Sequence, residues 1–203
     1  GTGDRAFCAG MDLRAFAGGV APTDDDPEAT AGFFRLIGGD VTVPVIGAAN
    51  ASAVAGGFEL LLGCDLIVAS SEARFGLPEV KRGLFAAGGG VFVSTRIPLA
   101  LALELTLTGD YIDAPRAQAI GLVNQVVPPE QVMEAAVGLA GRIARNGPLA
   151  VQATKKLVRL ASTDSEKAWE LHAELQPEVF NSEDAKEGAT AFIEKRDPVW
   201  TGR

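Results

Sequence analysis

A segment near the start of the chain, residues 41–69, sets the fold class. Two apolar runs rich in β-branched residues, 41–49 and 64–69, predict buried strands. Between them, residues 54–63 form a glycine-rich loop followed by a short apolar helix that ends near Gly63. This strand, helix, strand order predicts an α/β core.

The C-terminal third of the chain has a different, helical character. Residues 122–127 predict one more strand, which follows a helix that begins at Pro98. Beyond it, apolar residues recur at three- and four-residue intervals, as expected of an amphipathic helix. We predict helices at about 132–143, 148–158, 166–175 and from Ser182 through a last turn with Lys195 and Arg196. The predicted division is a core over 1–128 and a helical region over 129–203.

Charge and composition exclude several classes of function. A formal net charge of -8 and a pI near 4.7 oppose phosphate-backbone binding, so we expect no nucleic-acid partner. No run is long and apolar enough to span a membrane, and no secretory signal opens the chain. Only two cysteines, Cys8 and Cys64, are present, which favours reduced thiols in a cytoplasmic protein. Because the chain begins at Gly1 without Met, we expect further residues before it.

Few side chains are available for nucleophilic or metal chemistry. His172 is the only histidine and lies between charged helical residues, which favours a solvated position over a catalytic one. No cluster of Cys, His and carboxylates has metal-ligand spacing, so we expect no metal. Residues 88–90 are three glycines, but the Lys and Ser or Thr of a phosphate loop do not follow. They suit close packing or ligand approach instead.

Two other small-residue turns, residues 8–13 and 55–57, each precede a helix. The first amides of a helix are unpaired donors at its positive end, and small side chains let a ligand oxygen reach them. Two such amides pointing at one position would form an oxyanion hole. Close packing of helix against sheet explains the same glycines equally well, so both interpretations stay open here.

Two glutamates stand where proton chemistry would need them. Glu59 falls in the first turn of an otherwise apolar helix, and Glu79 follows Pro78 at the start of another. Either one alone could simply stabilise its own helix N-terminus. Both together, each beside a glycine-rich turn, favour a catalytic pair whose pKa values are raised by low-dielectric surroundings.

In this order and spacing, these motifs resemble the crotonase, or enoyl-CoA hydratase/isomerase, superfamily. Residues 4–13 resemble its first oxyanion segment, 55–60 its second, and 73–79 its second catalytic segment. Residues 107–110 and 119–124 match its usual later pattern. There are departures: Ala51 and Ala55 stand where many members have Gly. The family's first strands and helix, which help to bind the CoA adenine and phosphates, would precede Gly1.

The resemblance implies a spiral core of ββα repeats with a C-terminal helical trimerisation region. It also implies a site in which the N–H groups of Met11 and Gly56 hold a thioester oxygen. Glu59 would deprotonate water and Glu79 would protonate the α-carbon. Further substrate or CoA contacts are implied for the following residues: Ala9, Gly10, Asp12, Leu13, Phe192 and Lys195. Phe192 and Lys195 would reach the CoA of a neighbouring subunit, and an ordinary surface position is the alternative for Lys195.

The implied activity is that of an enoyl-CoA hydratase, as in fatty-acid β-oxidation or related acyl-CoA catabolism. Coenzyme A would be part of the substrate, so no separate cofactor is expected, and the assembly would be a homotrimer or a dimer of trimers. Alternatives within the superfamily are an enoyl-CoA isomerase and a carnitinyl-CoA-type dehydratase. From other classes, a non-catalytic crotonase-like binding protein and a doubly wound nucleotide-binding module remain, although the phosphate fingerprint of the latter is missing.

Overall fold

The structure, a computed structural model, describes residues 1–19 and 26–203. It divides into two compact units. The first comprises Gly1–Val41 and Val45–Val137, and the second comprises Thr42–Pro44 and Gly138–Arg203. The boundary predicted after residue 128 stays a prediction.

Two three-stranded sheets form the framework of the first unit within the described residues. The first sheet has the order β1-β3-β6, and both of its strand pairs are parallel. The second has the order β2-β4-β5, with one parallel and one antiparallel pair. The strands are β1 (Ile46–Ala49), β2 (Ala53–Val54), β3 (Leu66–Ser70), β4 (Arg74–Gly76), β5 (Ile112–Asp113) and β6 (Gln125–Val127).

Helices connect these strands. The α-helices are α1 (Leu13–Ala17), α2 (Pro27–Ile37), α3 (Gly56–Gly63), α4 (Leu99–Thr108) and α5 (Ala114–Ala119), with 3₁₀ helices at Pro78–Arg82, Gly90–Thr95 and Pro129–Gln131. The predicted strand, helix, strand unit is confirmed, because β1 and β3 pair in parallel and α3 lies between them in the chain. A parallel pair requires such a crossover.

The first strand is shorter than predicted, since β1 begins only at Ile46. Pro44 has no amide hydrogen to give to a ladder, and the Val45 amide instead donates to Oδ2 of Asp65 at 2.7 Å. Apolar character alone therefore overstated the length of the strand. The short strands β2 and β4 were not predicted at all, because two or three residues carry too little periodicity.

A continuous apolar core holds the first unit together. Phe58 of α3 and Phe75 of β4 are fully buried, with ring centroids 5.6 Å apart. Leu61, Ile67 and Leu77 fill the space around them and are equally inaccessible. Burial of each such side chain contributes about 1.5–3 kcal/mol. The core therefore fixes α3 and β4, the two elements that carry or precede the predicted glutamates.

The second unit is helical, as predicted for this part of the chain. Its α-helices are α7 (Pro148–Ala161), α8 (Ser165–Phe180) and α9 (Glu183–Glu194), and α6 (Val132–Ala144) precedes them. Helix α8 is longer than predicted and continues through Pro177. The prediction that Lys195 and Arg196 lie in the last turn of α9 is wrong. The helix ends at Glu194, and Lys195 caps it in a left-handed conformation.

Carboxylates of α9 hold the C-terminal residues in place. Asp184 is buried and accepts hydrogen bonds from the Thr201 amide and hydroxyl, at 2.7 and 3.1 Å, and from the Gly202 amide at 3.0 Å. Glu187 pairs with Arg196 at 2.6 Å, and this contact lowers the pKa of Glu187 to about 2. The Asp184 carboxylate is thus the main polar anchor of residues 201–202.

The structure also bears on membrane and metal classes. In the described ranges, 1–19 and 26–203, no helix has both the length and the apolar character to cross a bilayer. The same residues contain no group of three or more His, Cys, Asp and Glu side chains placed to hold a metal ion.

The Asp184 anchor leads to a stability prediction. Asp184→Ala should lower the free energy of unfolding by about 3 kcal/mol, because three donors lose a charged acceptor. Urea unfolding followed by tryptophan fluorescence measures this. Glu183→Ala, an exposed carboxylate in the same first turn, is the matched control and should change little. Equal midpoints for the two variants would contradict the prediction.

Candidate active site

Short backbone pairings bring the three predicted motifs together. Cys8, in the first motif, forms a parallel bridge to Ala53, and its carbonyl accepts from the Val54 amide at 3.0 Å. Strand β2 in turn pairs with β4, and the Ala55 amide donates to the carbonyl of Gly76 at 3.0 Å. Residues 8–13, 55–60 and 73–79 therefore lie side by side in the first unit.

Gly56 and Gly57, neighbours in the second motif, have different structural roles. A Cβ on Gly57 would overlap the carbonyl of Cys8, so this position serves close packing of α3 against the first motif. A Cβ on Gly56 would lie 3.5 Å from Cα of Gly10 and 3.8 Å from Oε2 of Glu59. Gly56 thus faces the space between the first motif and the glutamate. The packing interpretation holds at Gly57, and ligand approach at Gly56 stays a prediction.

The amides predicted to form an oxyanion hole belong to adjacent turns. Gly56 is the first residue of α3, where an N–H has no acceptor within the helix. Gly10 has a φ of 83°, and a Cβ there would be only 3.0 Å from the Gly56 nitrogen. Met11 follows Gly10 directly. Across residues 1–19 and 26–203, neither the Met11 amide nor the Gly56 amide donates a hydrogen bond to the protein. Both donors remain available to a ligand.

The other residues predicted in the first motif are exposed or near the surface. Ala9, Asp12 and Leu13 are exposed, and Met11 has 37% of its surface accessible. The Asp12 carboxylate caps α1 by accepting from the Arg14 amide at 2.8 Å and the Ala15 amide at 3.3 Å. Asp12 therefore has a structural task of its own, which its sequence position did not reveal. Ligand contact by these residues stays a prediction.

Glu59 is a buried carboxylate with backbone donors. It is 5% exposed, and its Oε1 accepts from the Gly90 amide at 2.8 Å. Burial raises the pKa of Glu59, while hydrogen bonds from the Gly90 and Gly88 amides oppose that rise. Such a group exchanges protons nearer to neutrality than an ordinary glutamate does.

Glu79 lies in the 3₁₀ helix that starts at Pro78 and is half-buried. Its Oε2 is inaccessible to solvent and has no hydrogen-bond partner among the described residues. Burial raises the pKa of Glu79, its own backbone amide opposes that rise, and the negative charge of Glu59 adds to it. A buried oxygen without a partner is costly for folding and is characteristic of a functional site.

The two carboxylates are near enough for the charge of one to affect the other. The negative charge of Glu59 disfavours ionisation of Glu79, which favours a protonated Glu79 when Glu59 is ionised. In that state one group is a base and the other an acid. Sequence reasoning identified both residues, but only the structure shows this electrostatic coupling.

A wall of apolar side chains around residues 88–90 was missed by sequence reasoning. A Cβ on Gly88 would overlap Oε2 of Glu59 and lie 3.1 Å from the Phe33 ring. Near Gly89, a Cβ would be within 3.9–4.0 Å of Ile37 and Phe92. The triplet of glycines was the available signal, and it predicted close packing or ligand approach without deciding between them. Nothing in the sequence indicated that α2 would supply Phe33 and Ile37 to it.

The remaining predicted residues, Phe192 and Lys195, belong to the second unit. Phe192 is 85% exposed near the end of α9, and Lys195 has a φ of 56°. An exposed aromatic side chain of this size is available to a ligand or a partner. Their predicted contact with CoA stays a prediction.

Backbone strain is concentrated at Ala55, between β2 and α3. Its φ of 53° and ψ of -130° lie in a region that suits glycine and costs other residues about 1–3 kcal/mol. The Cβ of Ala55 lies close to Gly10, because a Cβ added to Gly10 would be 2.9 Å from it. The strained turn therefore lies directly beside the two candidate amides.

Comparisons with known proteins show which family and fold this chain resembles. The family model described as enoyl-CoA hydratase/isomerase matches residues 1–203. A carnitinyl-CoA dehydratase from Proteus mirabilis is 42% identical, covering 100% of this chain and 80% of its own. The crystal structure of an enoyl-CoA hydratase from Mycobacterium tuberculosis H37Rv has a TM-score of 0.88 at 46% identity, covering 100% of this chain and 79% of that one. A carnitinyl-CoA hydratase from Mycobacterium avium has a TM-score of 0.72, also at 46% identity and with the same coverage.

The strain at Ala55 is testable without any ligand. Ala55→Gly should raise the free energy of unfolding by about 1 kcal/mol, because glycine adopts this φ without a steric cost. Chemical unfolding of both proteins measures the change. The control is Ala100→Gly in the first turn of α4, where the ordinary cost of glycine in a helix lowers stability. If both variants lose stability, Ala55 is not strained in the folded protein.

Proposed function

Because the chain belongs to the enoyl-CoA hydratase/isomerase family, we propose that it is an enoyl-CoA hydratase, a hydro-lyase of the crotonase superfamily. It adds water reversibly across the 2,3 double bond of a 2-enoyl-CoA thioester. The observation that carries this proposal is the pair of glutamates with raised pKa values, buried Glu59 and half-buried Glu79, near the Met11 and Gly56 amides.

In the proposed reaction, the Met11 and Gly56 amides bind the thioester oxygen. As water adds to C3, negative charge moves to that oxygen, and donors already in position stabilise it without reorganisation. Such donors are typically worth about 10²–10³-fold in rate. A glycine at residue 56 suits this role, because it leaves the space between Gly10 and Glu59 free of a side chain.

The two glutamates complete the proton transfers. Ionised Glu59 takes a proton from the attacking water, whose oxygen bonds to C3, and protonated Glu79 delivers a proton to C2. One proton leaves water and one arrives at carbon, so the net change is addition of H and OH. The roles reverse in dehydration. Because the charge of Glu59 favours a protonated Glu79, the pair tends toward the starting state that the reaction requires.

A carnitinyl-CoA-type dehydratase is the second candidate, because relatives with that name are 40–42% identical over the whole of this chain. The acid–base pair would serve either reaction, so the difference lies in the acyl group. Parallel assays with crotonyl-CoA and carnitinyl-CoA separate the candidates, and the larger kcat/KM identifies the substrate class.

We also propose that the protein acts as a homotrimer or dimer of trimers in the cytoplasm, in fatty-acid β-oxidation or related acyl-CoA catabolism. The assembly is supported by large apolar side chains that the second unit leaves exposed, including Trp169, Phe180 and Phe192 at 71–85%. Light scattering after gel filtration measures the assembly mass, and a monomer would overturn this part of the proposal.

Conservative substitution of each glutamate tests the reaction. Glu59→Gln and Glu79→Gln should each lower kcat for hydration of crotonyl-CoA by about 10²–10⁴-fold, since neither amide transfers protons. Loss of the ultraviolet absorbance of the conjugated thioester reports turnover. Glu72→Gln, an exposed carboxylate nearby in sequence, is the control and should retain activity. No turnover by the unaltered protein on any enoyl-CoA would overturn the hydratase proposal. Inactivity of Glu79→Gln alone would favour one-base isomerase chemistry.

The same variants carry a pH dependence. Since burial raises the pKa values of both glutamates above 4.5, the acid limb of kcat should lie above pH 4.5 as Glu59 becomes protonated.

The charge on a group with a raised folded-state pKa destabilises the fold as pH rises through that pKa. Glu79→Gln should therefore be more stable than the unaltered protein at pH 8, and this advantage should disappear below pH 4.5. Urea midpoints at the two pH values measure it. In the activity measurement, an acid limb of the kcat–pH profile below pH 4.5 would contradict the assignment of Glu59 as the base.

A further inference from the structure

Helix α3 carries both an oxyanion donor and the proposed base. Gly56 is its first residue and Glu59 lies in its first turn, yet Ala55 gives it no side-chain cap. The helix has 8 residues, about 12 Å of length, so it is a short rigid rod. Because of this rigidity, whatever holds its C-terminal end also sets the position of its first turn.

A single chain segment contacts both ends of this rod. At the N-terminal end, the Gly90 amide donates to Oε1 of Glu59 at 2.8 Å. At the C-terminal end, Nη1 of Arg96 donates to the carbonyls of Leu62 and Cys64, both at 2.7 Å. Nη2 of the same guanidinium reaches the Asp65 carbonyl at 3.3 Å.

The segment from Gly90 to Arg96 has a length and an anchor that allow it to support α3 at both ends. The 3₁₀ helix Gly90–Thr95 has 6 residues, which at about 2 Å each gives about 12 Å, the length of α3. Val93 in its middle is 1% exposed and packs into the core. The segment is therefore anchored at its centre, and its two ends match the two ends of the helix.

An arginine is well suited to this position. The carbonyls in the last turn of a helix have no intrahelical partner and carry partial negative charge. A guanidinium is a planar fork with several donors, so it binds two or three carbonyls at once in a fixed geometry. A lysine would keep the charge but would lose this fixed geometry.

We infer that Arg96 is a positioning residue for the proposed reaction, holding the end of α3 so that Glu59 and the Gly56 amide stay in register with Gly90. This inference rests on the proposed function for its kinetic consequence. The Arg96 guanidinium donates to backbone carbonyls at the end of α3, so its effect on the reaction passes through α3 and Glu59.

Loss of this register has a specific electrostatic consequence. The hydrogen bond from Gly90 opposes the effect of burial on the pKa of Glu59. If α3 shifts relative to Gly90, that bond lengthens and the pKa of Glu59 rises further. Glu79 is the neighbouring charged group, and the charge of Glu59 raises the pKa of Glu79. A general loss of stability would lower activity without moving this titration.

The kinetic test uses the full chain with Arg96→Met, Arg96→Lys and a control, Arg116→Met, which removes an exposed arginine from the last turn of α5. Arg96→Met should lower kcat on crotonyl-CoA about 10–100-fold, with KM changed less than threefold. The acid limb of its kcat–pH profile should move to higher pH. Arg96→Lys should recover part of kcat, and Arg116→Met should match the unaltered protein. An unshifted acid limb in Arg96→Met, whatever its kcat, would overturn the inference.

A second measurement does not depend on activity. In protein labelled with ¹³C at glutamate Cδ, the Glu59 signal is the one absent from Glu59→Gln, and its titration gives the pKa directly. Arg96→Met should shift that titration to higher pH. Arg96→Lys, the milder substitution that keeps the positive charge, should shift it less. Unchanged titration in both variants would overturn the inference. If the unaltered protein shows no turnover, the proposed function fails, while the labelled titration still decides the role of Arg96.

Discussion

The close approach of the Cys8 backbone to Gly57 is the contact on which the candidate site depends. A side chain at residue 57 would overlap the Cys8 carbonyl, so only glycine lets the first motif lie against the first turn of α3. The bridge from Cys8 to Ala53 and the pairing of β2 with β4 then fix the remaining motifs around it. Segments about 50 and 20 residues apart in the chain become neighbours through a few backbone hydrogen bonds.

Once α3 is fixed in this way, its first turn has to hold a negative charge in an apolar core. Phe58 and Leu61 on the same helix are completely buried, which removes water from around Glu59. The amides of Gly90 and Gly88 replace only part of that hydration, and the pKa stays raised. Glu79 has even less compensation, since its Oε2 has no partner among the described residues. The site is therefore built at the expense of local stability.

The sequence predicted those parts of the structure that depend on local pattern. The apolar surroundings of residue 59 and the Pro78–Glu79 pair were enough to single out both glutamates, and the helices of the second unit followed from their periodicity. Longer-range relations were not predictable. Residues 53–54 are too few to show a strand, and only the tertiary fold brings Phe33 of α2 beside Gly88. The early start predicted for β1 failed because the Asp65 carboxylate, 20 residues away in sequence, takes the Val45 amide.

The division of work between backbone and side chains explains why this site needs so many glycines. Both candidate oxyanion donors and both donors to Glu59 are backbone amides, of Met11, Gly56, Gly88 and Gly90. Amides are neutral, so they stabilise a developing charge or a carboxylate less strongly than a nearby lysine or arginine would, and the pKa of Glu59 stays raised. A cation beside Glu59 would lower its pKa and so oppose the rise that burial causes. Arg96 fits this logic, because its charge lies at the far end of α3 and acts on that helix through its carbonyls.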